Sequence, residues 1–243
     1  MTDVFGIQAT RAVLNDNPGR ARALYTQRGR RDARVNELIA LAKSNGVRFQ
    51  AKDPGWFRQR AGDAAHQGVL LECHELEVAD EAALTERWPE LGEAPLLLIL
   101  DGVTDPRNLG ACLRSANGAG VDAVILPKRK SAPLSAVALK TAQGGAESLL
   151  IVEVTNLART LKMLKQRGVW VVGADGDADL LYSELNASGP TALVMGSEGK
   201  GLRRLTAELC DQRIKIPMRG TVTSLNVSVA TGILLYEIQR QRG

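Results

Sequence analysis

A chain of 243 residues, 44% apolar and 24% charged, has the composition of a globular protein with room for two domains. Its longest apolar run, PLLLIL ending at Leu100, is strand-sized, so no membrane span is expected, and the first residues lack a signal-peptide pattern, which predicts a cytoplasmic protein. Three widely spaced cysteines (Cys73, Cys112, Cys210) and two histidines (His66, His74) argue against a disulfide framework and against a metal centre.

The net charge of +4 conceals an asymmetry: Lys and Arg outnumber Asp and Glu 12 to 5 over residues 1–60, fall to 1 against 9 over 61–94, and stand at 18 to 13 beyond. Arg20, Arg22, Arg28, Arg30, Arg31 and Arg34 crowd into fifteen positions, the electrostatic footprint of a polyanion-binding surface, although aromatic stacking residues are scarce around them.

In chain order, residues 1–75 read as a small α/β unit: a helix from Gly6 to Leu14, an arginine-rich connection, a helix from Val35 to Ser44 stopped by Asn45-Gly46, and strands at Val47–Gln50 and Gly68–Cys73. Residues 76–94 are acidic, carry Pro89 and Gly92, and read as a linker with one helical turn. From Pro95 strands and helices alternate. LLLILDGV, DAVILP, LLIVEV, VWVVGAD, ALVMGS and RIKIP are strands, and helices fall at ACLRSANGAG, SAVALKTAQGG, Leu157–Arg167, Leu202–Cys210 and the C-terminus. The strands are continuously apolar, as in a parallel sheet covered on both faces.

Three loops that follow strands should meet at one sheet edge. DGVTDPRNLGACLRSA places Asn108 and Gly110 ahead of a helix bearing Arg114 among small residues. LVMGSEGKGL sets Gly196, Gly199 and Gly201 around Glu198, so backbone can approach a ligand closely, but its spacing matches neither a P-loop nor a dinucleotide fingerprint. IPMRGTVTSLNVSVATGILLYE supplies Ser224 and Asn226, each a credible cap for the last helix.

These three runs, in this order and spacing, resemble the signature motifs of the SpoU (TrmH-like) branch of the SPOUT RNA 2′-O-ribose methyltransferases. FGIQATRAVL, HQGV and KRKSAPLSAVALKTAQGGAES extend the resemblance toward the bacterial rRNA guanosine-2′-O-methyltransferase subgroup. The resemblance implies a C-terminal α/β domain with a deep trefoil knot over residues 95–243 and an N-terminal RNA-binding domain over residues 1–75, similar to a ribosomal protein. It implies S-adenosylmethionine as methyl donor without a metal, bound at Gly173, Ala174, Gly196, Ile216 and Leu225. It carries the catalytic positions to Asn108, Arg114, Glu198, Ser224 and Asn226, the partner to 23S rRNA, and the assembly to a homodimer through the C-terminal domain. Gly145, where alanine is expected before Ala146, is a local departure. A tRNA or other rRNA 2′-O-methyltransferase would share the loops. A non-catalytic ribosome-assembly factor and a nicotinamide-dependent oxidoreductase fit the motif residues and the glycine pattern less well.

Overall fold

The computed structural model describes residues 1–30, 32–62 and 66–243. Strands β1 (Thr2–Phe5), β2 (Ala21–Gln27), β3 (Arg48–Lys52) and β4 (Val69–Cys73) form a four-stranded sheet in the order β1-β4-β2-β3, in which only β2 and β3 run parallel. Helices α1 (Ile7–Asp16) and α2 (Ala33–Ser44) bury Val13, Leu14, Val35 and Leu38 against Leu24 and Leu71 of the sheet. Asp32 caps α2 by accepting from the Val35 N–H at 3.3 Å, and Gly46 reverses the chain at φ 69°. A third helix, α3 (Pro54–Ala61), starts at a proline that needs no amide partner there and buries Phe57.

The arginine-rich connection thus contains a 3₁₀ turn at Pro18–Arg20 followed by strand β2, and the turn removes Arg20 from any polyanion surface. Arg20 is 5% exposed and Glu147 8%. The guanidinium donates to the His74 carbonyl at 2.9 Å and, through Nη1, to both Glu147 carboxylate oxygens at 2.5 and 2.6 Å; its Nη2 is buried without a partner. Arg28 pairs with Asp53 and Arg30 with Asp32, whereas Arg31 lies outside the described residues.

The acidic stretch is ordered rather than extended. Helix α4 (Glu81–Glu86) is capped by Asp80, and a 3₁₀ turn follows at Trp88–Leu91. Ala79 bonds to both neighbours on the outer strand of the large sheet, donating to Ile151 O and accepting from Glu153 N, each at 2.8 Å. Glu81 is bound by Arg159 and by the Thr160 hydroxyl.

The large sheet alternates β5 (Leu96–Leu100), α5 (Pro106–Gly118), β6 (Ala123–Pro127), α6 (Ala136–Ala142), β7 (Leu150–Val154), α7 (Leu157–Gln166), β8 (Trp170–Ala174), β9 (Leu180–Leu181), β10 (Thr191–Met195), α8 (Arg204–Leu209), β11 (Gln212–Lys215) and α9 (Val227–Arg242). Its seven strands are all parallel in the order β7-β6-β5-β10-β8-β11-β9. Residues of β5 point alternately into two cores, Leu96, Leu98 and Leu100 into one with Leu109, Leu113 and Leu235, Leu97 and Ile99 into the other with Leu84, Leu161 and Leu164. This two-sided burial explains the unbroken apolar strands. The connections leaving β5, β10 and β11 therefore emerge at one edge, beside the reversal of strand order that in open α/β sheets makes a crevice.

Candidate active site

Asp105 accepts from the Arg107 amide at 2.9 Å and Pro106 occupies the first turn, so α5 begins before Asn108 and Gly110, not after them. A Cβ on Gly110 would lie 2.3 Å from the Ala138 carbonyl oxygen; the glycine lets α5 and α6 touch backbone to backbone. Gly145 has a similar reason. A Cβ there would meet the Arg114 Cα at 3.1 Å and Asn117 Cβ at 3.3 Å, so this turn seats against α5 at the arginine.

The buried first turn of α5 aims Asn108 at the glycine loop. Its Nδ2 donates to Glu198 Oε1 at 2.8 Å, and its Oδ1 accepts from Asn226 Nδ2 at 3.0 Å. Asn226 Nδ2 also donates to Glu198 Oε1 at 2.7 Å, while Asn226 Oδ1 caps α9 by accepting from the Ser228 amide at 2.9 Å and its hydroxyl at 2.6 Å. One asparagine from each of two loops thus shares a single carboxylate oxygen from the third. Asn226, not Ser224, is the cap. Glu198 is carried on a tight turn in which Ser197 and Gly201 exchange backbone hydrogen bonds of 3.0 and 2.9 Å, with Gly199 and Gly201 at positive φ.

Beside this cluster is a cavity of about 410 Å³, within the size range of small-molecule sites. Ala174, Gly196, Ile216, Leu225, Glu198 and Ser224 all line it. Gly196 forms a wall with no room for a side chain, since a Cβ would fall 2.2 Å from the Gly201 carbonyl carbon. Gly173 lies outside the lining; its missing side chain makes space for Leu202 and Cys210, whose nearest atoms would meet a Cβ at 2.6 and 2.8 Å. Arg114 stands apart as well. It is exposed on α5 and has no hydrogen bond or ion pair with any described residue.

Several wall residues escape the sequence reading, among them Asp175, Asp177, Lys200 and Met218. The Asp-Gly-Asp run directly after the strand VWVVGA is the signal that could have pointed to the first two. Asp101, fully buried at the end of β5, is a further case. It accepts from the Thr206 hydroxyl at 2.7 Å and lies 3.1 Å from Arg203 Nη1, close enough to pair though not aligned as a hydrogen bond, and so ties the first loop to the start of α8. Burial pushes the Cys112 thiol, which touches the Thr231 hydroxyl at 3.5 Å, up to about 11. Among the described residues no three His, Cys, Asp or Glu side chains gather as a metal site would require, and no helix is long and apolar enough to cross a membrane.

Residues 95–236 match the SpoU rRNA Methylase family model, and residues 4–79 match the model for RNA 2′-O ribose methyltransferase substrate binding. The chain is 51% identical over 239 residues to a 23S rRNA (guanosine-2′-O-)-methyltransferase RlmB of Pseudomonas aeruginosa, with 98% of this chain and 96% of the relative covered. It is 48% identical to the protein of that name from Escherichia coli, with 98% of each covered. Among solved structures, the SpoU methyltransferase AviRb of Streptomyces viridochromogenes shares the fold at a TM-score of 0.80 and 24% identity, over 99% of this chain and 90% of that one. A TrmH/SpoU tRNA modifying enzyme of A. aeolicus is 32% identical at a TM-score of 0.57, over 66% of this chain and 84% of its own. With a family model over more than half its length and near-complete relatives at this identity, the chain belongs to the SpoU rRNA methylase family.

Proposed function

We infer that this protein transfers a methyl group from S-adenosylmethionine to the ribose 2′-hydroxyl of a guanosine in 23S rRNA. The observation that carries the reading is the 48–51% identity, end to end, with 23S rRNA guanosine methyltransferases. The match of residues 4–79 to a substrate-binding model favours rRNA over tRNA, since the similar tRNA modifying enzyme covers only two thirds of this chain. On this reading residues 1–75 engage RNA, residues 76–94 connect, and residues 95–243 hold the donor. The reaction takes place in the cytoplasm.

The cavity fits the donor. Backbone at Gly196, Ile216 and Leu225 supplies polar groups next to apolar walls, and Asp177 offers a carboxylate to hydroxyls or a cation, whereas Asp175 is already paired with Arg213 at 2.8 Å. When bound, the sulfonium supplies an already activated methyl, so the inferred displacement needs no metal. The implied trefoil knot is supported by the insertion of β10 between β5 and β8, with β11 beyond.

What remains is to align the hydroxyl and stabilise charge as its proton leaves. Asn108, Glu198 and Asn226 fix the three loops relative to one another, and Ser224 stands on the cavity wall. A guanidinium has five N–H donors and no acceptor, so the role of Arg114 is to stabilise the developing alkoxide and hold the adjacent phosphate rather than to act as a base. Its isolation within one chain supports a homodimer in which a second copy completes the site. Exposed Val229 and Tyr236 on α9, seven residues apart and so on one helix face, supply an apolar surface for that contact. Methyl transfer to in vitro transcribed 23S rRNA, with mapping of 2′-O-methylation in a strain lacking the gene, tests the reading. Well-folded protein that transfers no methyl to 23S rRNA, with no site lost in the strain, would overturn it.

A further inference from the structure

We propose that Tyr25 of β2 and Trp56 of α3 form a stacking site for an unpaired base of the RNA substrate, with Lys52 positioned for the neighbouring phosphate. The proposal rests on the rRNA reading above and names where on the N-terminal unit a base is held.

The two rings lie 4.8 Å apart, tilted by 39°, and both are half-buried. Lys52 Nζ is 5.7 Å from each ring centroid, and the Arg60 guanidinium is 6.0 Å from Tyr25 and 5.6 Å from Trp56. The whole chain has only three Trp, three Tyr and three Phe, yet Tyr25, Trp56 and Phe57 form one continuous cluster.

Anchoring of α3 does not account for this. Phe57 does the anchoring: it is fully buried, stacks on His66 at 4.9 Å and meets Trp56 edge-on at 5.2 Å. Trp56 adds a second large ring on the half-exposed side, where a smaller apolar residue would pack as well.

The two cations differ in a useful way. Arg60 is held by Asp3 at 2.7 and 2.8 Å and by Glu72 at 3.2 Å, which fixes its plane near the rings and neutralises most of its charge. Lys52 has no ion pair with a described carboxylate and keeps its full charge for a phosphate. Every base has a π-face, and a phosphate follows each one. Paired aromatic rings beside an uncompensated cation suit that repeating unit, and the excess of Lys and Arg over residues 1–60 attracts the polymer that carries it.

The test uses the full chain with in vitro transcribed 23S rRNA and a uridine decamer as probes. Tyr25→Leu and Trp56→Leu keep apolar bulk but lose the stacking face. Each is expected to weaken RNA binding by about 5- to 150-fold at fixed salt, while S-adenosylmethionine binding and the melting temperature stay near wild type. Trp56→Phe should retain most affinity, and Lys52→Gln should lower the slope of log affinity against log salt by about 0.7–0.9. In a chain with Trp88 and Trp170 changed to Phe, the remaining Trp56 emission should be quenched by the decamer. Unchanged RNA affinity in both leucine variants, or no quenching at saturating decamer, overturns the stacking site. Wild-type protein that leaves 23S rRNA unbound would instead overturn the rRNA reading and this site with it.

Discussion

Asn108 and Arg114 ride on one helix, about 9 Å apart along its axis, in opposite states. Asn108 is buried and bonded on both faces of its amide, within a cluster whose other members, Asn226 and Glu198, are bonded to each other. Arg114 is exposed and unpartnered among the described residues. On the mechanism inferred above, the difference separates two tasks. Holding three loops in register is a structural demand met before any ligand arrives. Stabilising charge that exists only in the transition state calls for a cation not already neutralised by the protein itself.

The largest effect is expected from Gly196→Ala, because its Cβ overlaps backbone at 2.2 Å and the loop cannot yield without displacing Glu198. Donor affinity measured by calorimetry should fall by about 10²-fold or more, and near-normal affinity would show that the cavity wall at Gly196 is looser than its geometry. Arg114→Ala should come next in effect and differ in kind, lowering single-turnover methyl transfer by roughly 10²-fold with donor binding and melting temperature unchanged. Arg114→Lys should rescue little if the planar fork is required. A melting temperature that drops with Arg114→Ala would erase the contrast between the two residues.

Asn226 allows the three-loop cluster to be dissected. Asn226→Ala loses the cap and the bridge together, so stability should fall by about 1 kcal/mol in chemical denaturation. Asn226→Asp keeps an acceptor for Ser228 but faces a second carboxylate toward Glu198 Oε1, which Asn226 Nδ2 meets at 2.7 Å. Stability should stay closer to wild type while turnover falls, and equal turnover in Asn226→Asp and wild type would show that the shared oxygen has no catalytic consequence.

The smallest effect at neutral pH concerns the thiols. Burial raises Cys73 to about 12 and Cys112 and Cys210 to about 11 from a usual value near 9. The unfolded chain releases these protons first, so stability is complete below pH about 9 and is lost as pH rises toward 11–12. Iodoacetamide should alkylate native protein at pH 8 far more slowly than denatured protein, and equal rates would place a thiol outside the packed interior.

The six long strands of the large sheet and the convergence of its three loops were readable because continuous apolar runs separated by capped helices have few other solutions. Strand β2 was not, since the arginines that flank it and its irregular register with β4 between Ala21 and Ala23 mask the alternation. Helix α3 is too short and too polar to show a period, and β9 has only two residues. At the site, residue types and loop spacing picked out Asn108, Glu198 and Asn226, but not that one oxygen would serve two amides. The placement of Gly173 behind the cavity wall was equally invisible, because a glycine that admits a neighbour's side chain and one that admits a ligand look alike in one dimension.

The buried pair of Arg20 and Glu147 has a consequence in time. The partners are 127 residues apart, so at synthesis rates of about 5–20 residues per second Arg20 is made roughly 6 to 25 s before Glu147. A cation destined for a dry interior must wait in solvent for that interval, since desolvating it alone costs several kcal/mol. The burial of Arg20 is therefore completed only as the second half of the chain is delivered, and a nascent chain arrested before Glu147 should leave Arg20 accessible to water.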